Sequence, residues 1–542
     1  MSLAARWRPS AETLLLWAIL LAATWLRLDG VGFGLPALND PDEPLFMMTA
    51  LEMLQRQSFD PGWFGHPGTI TLYSLAAVIA GVGGAGVATG RFADVDAFAA
   101  AVYADPGVVF LPARVMIVLC GVLCVWLTWR LGRRLGGARV GLVAAALLAV
   151  NAVHIEYSQI IRTDVQASVF MLLGALAAVA IAEEGRRREY LFAGLCAGLA
   201  CATKWPAVAI LVTALGAWLY RTPRERSRRR LAMVGAACVI TLFAVSPYLL
   251  IDHATVIANL SGEARPVHPG ATGGGFFGNL GWYVAGPLLS SFGIGALVLA
   301  IAGLVWGSGK VRLWLYVVLP FVLMFFVMIC FQSLRWERWV VPLLPFLSLA
   351  AARALCGLAD MLPRGRLGGM ALPVALLILL APMVWEARIE ATARRHDTRQ
   401  IASAWLRAHA LPGSSILVEH PAFDLLASPF KLRTAMGSAG CVDVGQLLSG
   451  QIRYSKVDRL RGGGAIVDIG HVDPARIETC RADYAVVINQ VRYRSDPAAF
   501  RSELARYDRL LAGGATRLIV KPVRGQISGR EVHIVELAPA SR

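Results

Sequence analysis

The sequence predicts a polytopic α-helical membrane protein carrying a C-terminal α/β domain. Three observations carry that reading. Of 542 residues, 56% are hydrophobic and only 16% are charged, against about a quarter charged in soluble domains. Apolar segments near the ~20 residues that a bilayer requires recur along the chain. Beyond residue 388 charges become frequent and the apolar runs shorten to strand length.

Spans are predicted at 13–30, 108–129, 140–157, 165–183, 189–203, 206–220, 231–251, 281–306, 312–331, 339–358 and 369–387, about 11 in all. Lys204 and Pro206 split 189–220 into a helical hairpin. The net charge of +16 would suit nucleic acid, but the basic residues are not gathered on one domain face, which argues against it. They recur between apolar segments, at Arg6/Arg8, Arg130–Arg139, Arg186–Arg188, Arg221–Arg230, Lys310/Arg312 and Arg364/Arg366. Placing these clusters inside sets the N-terminus in the cytoplasm and the C-terminal domain outside. The N-terminal apolar run is read as a retained first span. Residues 69–88 are apolar enough to cross, but a crossing would turn the Arg221–Arg230 run outward. They are therefore expected to lie in the interface or re-enter, within a first external loop of 31–107; a true span is the alternative. This gives a transmembrane domain of 1–388 and an extracytoplasmic α/β domain of 389–542. In the latter a helical pattern covers 392–410 and another 496–511, with strands expected at 414–419, 484–489, 517–522 and 532–537. Seven of the nine cysteines lie in apolar segments as small buried residues. Cys441 and Cys480 lie in the polar region, where one disulfide or no pairing are both open.

The candidate site begins with Asp40-Pro41-Asp42-Glu43-Pro44, just past the first span. Carboxylates at a membrane surface are costly unless they bind, pair or catalyse. The bland alternative is that Asp40 and Asp42 cap a helix starting near Pro44. The same topology places His66, Arg162, Asp164, Lys204, Arg335 and Arg338 on the same side. Cations can hold a phosphate while a carboxylate takes a proton from an attacking hydroxyl. Each has its plainer reading: Asp164 caps the next helix, Arg162 snorkels, His66 bonds its own loop, and Arg335 and Arg338 anchor an interface around Trp336. Lys204 is harder to dismiss inside an apolar hairpin, where it must neutralise, pair or bind an anion.

In order along the chain, PDEP (Asp42-Glu43), GHPGTITLYSL, LPARVMIVLC…WRLGRRLGG, IIRTD, GLACATKWPA and RWERWVVPLLPFL resemble the GT-C superfamily of polytopic glycosyltransferases. The likeness is to the bacterial branch of protein O-mannosyltransferases and the aminoarabinose transferases that modify lipid A. It covers most of 10–390, and the external α/β domain also fits. The chain departs from the family at His66 and Pro67-Gly68, where a lysine or glutamate beside two prolines is usual.

The resemblance implies an enzyme of the bacterial inner membrane that takes a sugar from a polyprenyl-phosphate donor as co-substrate. It implies inverting transfer to an acceptor hydroxyl on a lipid, glycan or protein. Asp42 would be the base, with Glu43 orienting or assisting it. Asp164, His66 and Asp40 would bind acceptor or sugar; Lys204, Arg162, Arg335 and Arg338 would hold the donor phosphate. A divalent metal at Glu43 or His66 is left open. The rival readings are a transporter or flippase of lipid-linked sugar, which would favour matched broken helices in two halves, and an O-antigen ligase or polymerase.

Overall fold

The computed structural model describes residues 10–538, apart from 66–67, 264–265, 364–365, 421, 450, 453–455, 458–459 and 461–466. Its first part is helical. In chain order the first ten helices are α1 (Ala11–Leu28), α2 (Glu43–Gln55), α3 (Thr69–Ala88), α4 (Val95–Ala104), α5 (Gly107–Ala149), α6 (Ala152–Ser158), α7 (Thr163–Glu183), α8 (Arg187–Thr203), α9 (Leu211–Tyr220) and α10 (Arg228–Val245). Among the described residues, eight helices are long and apolar enough to cross a membrane. The expected eleven are not reached by that measure. α5 is two helical segments that meet at a kink at Gly137, whose φ of 85° is not helical, between the two spans drawn at 108–129 and 140–157. The hairpin after α7 is made of short pieces: α8 has 17 residues and α9 ten.

The hairpin breaks where the sequence requires. Lys204 is extended, and Pro206, which cannot donate a helical hydrogen bond, starts a 3-10 turn over Trp205–Ile210. α8 then packs on α10 through Gly194 and Gly198. A Cβ on either would stand within 2.3 and 2.6 Å of the α10 carbonyl oxygens of Val234 and Cys238. Small residues four apart permit that backbone approach.

Apart from the main helical core, a second apolar cluster gathers residues between 38 and 113 together with Ile161. Phe46, Met47, Leu72, Leu75, Ile79, Phe92, Phe98, Phe110 and Ile161 share it. α3 begins beside the first turn of α7, where Thr71 Oγ1 donates to Gln166 Oε1 (2.7 Å) and Gln166 Nε2 donates to Ser74 Oγ (3.1 Å). At its far end, the rings of Phe92 and Phe98 lie against Gly86 and Gly83, and α4 returns the chain to the first turn of α5. α3 packs against α2, α4 and the first turn of α7, and its 20 residues meet the length and composition of a span.

The helix Arg366–Arg394 carries the chain to the helix Thr398–His409 and a six-stranded sheet. The strands are β1 (Ser415–Val418), β2 (Lys431–Ala435), β3 (Cys441–Asp443), β4 (Tyr484–Val487), β5 (Ala515–Val520) and β6 (Val532–Glu536), in spatial order β3-β2-β1-β4-β6-β5. β1 is parallel to both β2 and β4; the remaining pairs are antiparallel. Four strands fall where expected, and β2 and β3 are additional. The expected helix of 392–410 is interrupted at 395–397, where Asp397 caps the second piece by accepting the Arg399 N–H (2.9 Å). Cys441 and Cys480 are disulfide-bonded.

Candidate functional site

Asp40 and Asp42 divide the two roles that the sequence left open. Asp40 Oδ1 accepts the backbone N–H groups of Asp42 (3.0 Å) and Glu43 (3.2 Å), so Asp40 caps the turn into α2. Asp42, at the N-cap position itself, makes no capping bond. Its carboxylate instead meets two guanidinium groups. Arg162 Nη1 donates to Asp42 Oδ2, and Arg338 Nη1 donates to the same oxygen at 3.0 Å. Arg162 Nη2 also reaches Asp40 Oδ2 at 3.0 Å. Burial alone would lower the Arg162 guanidinium, but Asp40 and Asp42 outweigh it and raise it, so Arg162 stays charged.

Glu43 points the other way. Its side chain is fully buried. Arg114 Nε donates to Oε1 (2.9 Å) and Nη2 to Oε2 (2.6 Å), while the Ile161 N–H donates to Oε1 (3.0 Å). Arg114 Nη1 donates to the carbonyls of Val31 (2.8 Å) and Phe33 (2.7 Å). One arginine therefore ties the loop after α1, the start of α2 and the segment before α7 together. With both oxygens engaged and no exposed surface, Glu43 is placed to orient the start of α2, which fits the orienting one of the two roles expected of it. For the same reason its carboxylate is not open to a metal ion. Arg114 was missed as a site residue. Its signal was an arginine inside the apolar run LPARVMIVLC, where a partner is obligatory.

Asp164 does not serve as the N-cap of α7. It pairs with Lys204 Nζ, and the two side chains are only 3% and 8% exposed. Arg338 and Arg162 act electrostatically on both members of that pair, so the pair and the Asp42 triad are neighbours. Arg335 lies outside the ionic cluster: its guanidinium stacks on Trp282 at 5.3 Å. The structure brings Arg338, not Arg335, to Asp42. His66 falls outside the described residues. Its neighbour Phe64 accepts a bond from Trp205 Nε1 (3.4 Å) and donates its N–H to Asn259 (2.7 Å).

The ionic groups thus form two closed pairs, Arg114–Glu43 and Lys204–Asp164, around one cluster with an open side. Asp42 keeps 36% of its side chain exposed, against 12% for Asp40. An oriented and accessible carboxylate beside cations can accept a proton while those cations hold an anion.

Residues 95–251 match the family model described as dolichyl-phosphate-mannose-protein mannosyltransferase. No curated protein sequence matches the chain. Among solved structures it is similar to ArnT from Cupriavidus metallidurans in the apo state, with a TM-score of 0.52 and 15% identity over 96% of this chain and 97% of that one. It is similar to the same protein bound to undecaprenyl phosphate, with a TM-score of 0.51 and 14% identity over 97% and 98%. The oligosaccharyltransferase of Archaeoglobus fulgidus in the apo form gives a TM-score of 0.52 and 12% identity over 93% and 73%. At these identities the solved structures speak to the fold alone: the chain folds like ArnT and the archaeal oligosaccharyltransferase. Over residues 95–251 it is similar to the mannosyltransferase family model.

Proposed function

We propose that the chain transfers a sugar from a polyprenyl-phosphate donor to an acceptor hydroxyl, with inversion, on the extracytoplasmic face of a bacterial inner membrane. One observation carries this reading. Of the carboxylates in the cluster, Asp42 alone is both gripped by two arginines and substantially open. The acceptor hydroxyl approaches that open side and gives its proton to Asp42. The acceptor oxygen bonds to the anomeric carbon as the bond from that carbon to the donor phosphate breaks. The phosphate leaves with the electron pair, and one displacement inverts the centre.

Arg162 and Arg338 serve two anions. Before the donor binds they neutralise Asp42. As negative charge gathers on the departing phosphate they are drawn towards it, and Asp42 gains basicity as the reaction needs it. Lys204 is held by Asp164 within electrostatic reach of both arginines, and adds positive potential beneath the phosphate. Asp40 fixes the turn that aims Asp42. The prenyl tail lies between apolar helices, as the binding of undecaprenyl phosphate by ArnT supports.

The test is turnover of radiolabelled polyprenyl-phosphate sugar by purified protein with candidate acceptors, Asp42→Asn as control. Loss of transfer in Asp42→Asn is expected; undiminished transfer would remove the base assignment. Translocation of the donor across vesicles without any transfer would instead favour a flippase. Reporter fusions after residues 95 and 225 test the sidedness, with 95 expected outside and 225 inside.

A further inference from the structure

The C-terminal sheet places three arginines opposite the acidic cluster. Its parallel strands β1 and β4 end at Val418 and Val487. In open α/β sheets, ligands settle at the carboxyl ends of parallel strands, where the chain leaves in opposite directions. β1 continues to β2 on one side, and β4 lies on its other. Beyond these ends sit Asn489 and His420. Asn489 Oδ1 accepts from Arg492 Nη1 and Arg530 Nη1, both at 3.3 Å. Arg530 is brought there by the loop between β5 and β6, whose Arg530 carbonyl accepts Thr398 Oγ1 at 2.6 Å. Arg399 completes the group and donates to the Asn39 carbonyl, one residue before Asp40.

Arg399 is paired with Asp397. Arg492 donates to the Pro269 carbonyl, and neither Arg492 nor Arg530 forms an ion pair with a carboxylate among the described residues. Arg530 stays exposed. It lies within electrostatic reach of Arg492 and Arg399, which oppose its charge, and of Asp40 and Asp42, which favour it. Two buried side chains beside Arg399 hold hydrogen-bonding capacity that no described residue uses: the amide of Asn39, 2% exposed, and both ring nitrogens of His420, 9% exposed. Two guanidinium groups that converge on one amide oxygen without an ion pair, with Arg399, beside its unused polar neighbours, within electrostatic reach of Arg530, suit an oxyanion, which arginine binds in forked geometry.

We propose that Arg492 and Arg530, backed by Arg399, form an anion subsite on the C-terminal sheet that holds a phosphate or carboxylate of the acceptor while its hydroxyl reaches Asp42. The inference rests on Asp42 as the base, and it makes the acceptor class anionic.

The experiment uses the full chain in detergent, titrated separately with inorganic phosphate and with glucuronate, and read by thermal unfolding, since a ligand of the native state raises Tm. A saturable rise is expected with at least one anion. Arg530→Ala and Arg492→Ala should each weaken it about tenfold, the loss of one charge-assisted contact, and Arg530→Lys should retain part of it. Saturating undecaprenyl phosphate should leave the effect in place; if it abolishes the effect, the anion occupies the donor site and the proposal fails. No saturable rise with either anion, or wild-type binding in both alanine variants, also overturns it. Asp42→Asn should bind the anion as the wild type does. Transfer persisting in Asp42→Asn would remove the base assignment while leaving the anion measurement intact, so the two failures are distinguishable.

Discussion

The closed ion pairs and the open cluster use the same residue types for different ends. Arg114–Glu43 is sealed, with every strong donor and acceptor matched inside the fold. Arg162–Asp42–Arg338 has the same chemistry but stops at a surface. In the sealed pair, charge holds three chain segments in register. In the open cluster it is held ready for something that arrives. Burial, more than residue type, separates positioning from reaction.

The sharpest way to break that contrast is to neutralise one carboxylate from each class. Asp42→Asn keeps size and loses the proton acceptor. Transfer should fall by about 10²–10⁴-fold, the range for a general base, with Tm close to wild type. A large loss of Tm instead would place Asp42 in the structural class.

Glu43→Ala should do the reverse. Removing one partner leaves Arg114 as an uncompensated buried charge, at a cost of about 3–5 kcal/mol. The readout is thermal unfolding of the full chain. Replacing both Glu43 and Arg114 by leucine should recover much of the loss, because a buried pair and an apolar pair are often near equal in stability. If Glu43→Ala abolishes transfer at full stability, Glu43 is chemical after all.

How much of this was legible in the sequence follows from the same contrast. The helices before 390 were legible because lipid demands long apolar runs, and α3 stood out because its crossing would disturb the charge pattern. Four strands were legible from β-branched runs. β2 (KLRTA) and β3 (CVD) were not, being short and half polar. In the site, Asp42, Arg162 and Lys204 announce themselves as charges where charge is costly. Which of them pairs with which does not show. Arg162 and Asp164 are two residues apart, yet one turns to the acidic cluster and the other to Lys204, because successive positions at a helix start point in different directions. Glu43 and Arg114 are 71 positions apart, and a pairing over that span is a property of packing. Arg399, Arg492 and Arg530 were hidden for a simpler reason: arginines in a polar domain are unremarked until the fold turns them towards the membrane part.

The C-terminal sheet is held at one edge by a covalent link rather than ion pairs. The disulfide joins β3 to the turn before β4 across 39 residues of sequence. Replacing Cys441 and Cys480 by serine should cost about 2–4 kcal/mol. The loss should appear as faster hydrogen exchange in β2 and β3, with exchange in α7 and α8 unchanged. Equal acceleration in both regions would mean that the sheet and the helices unfold as one unit.

His420 supplies the smallest test and the most specific one, because it is a sealed group with no counter-charge of its own. Burial pushes its imidazole down to about 3, and Arg399 presses the same way, while Asp397 opposes them. In the unfolded chain a histidine titrates near pH 6.5. Between those values the unfolded state binds a proton that the folded state refuses, so stability is full above about 6.5 and is lost as the pH falls. From pH 7 to pH 5 the loss due to this group is about 2 kcal/mol. His420→Gln keeps a polar group of similar size and removes the titration, so its Tm should fall less than the wild-type Tm between the same two pH values. Parallel falls in both proteins would mean that His420 gains a proton in the folded state. It would then belong with Asp42 on the open side of the contrast, able to meet an anion as a charge rather than as a neutral donor.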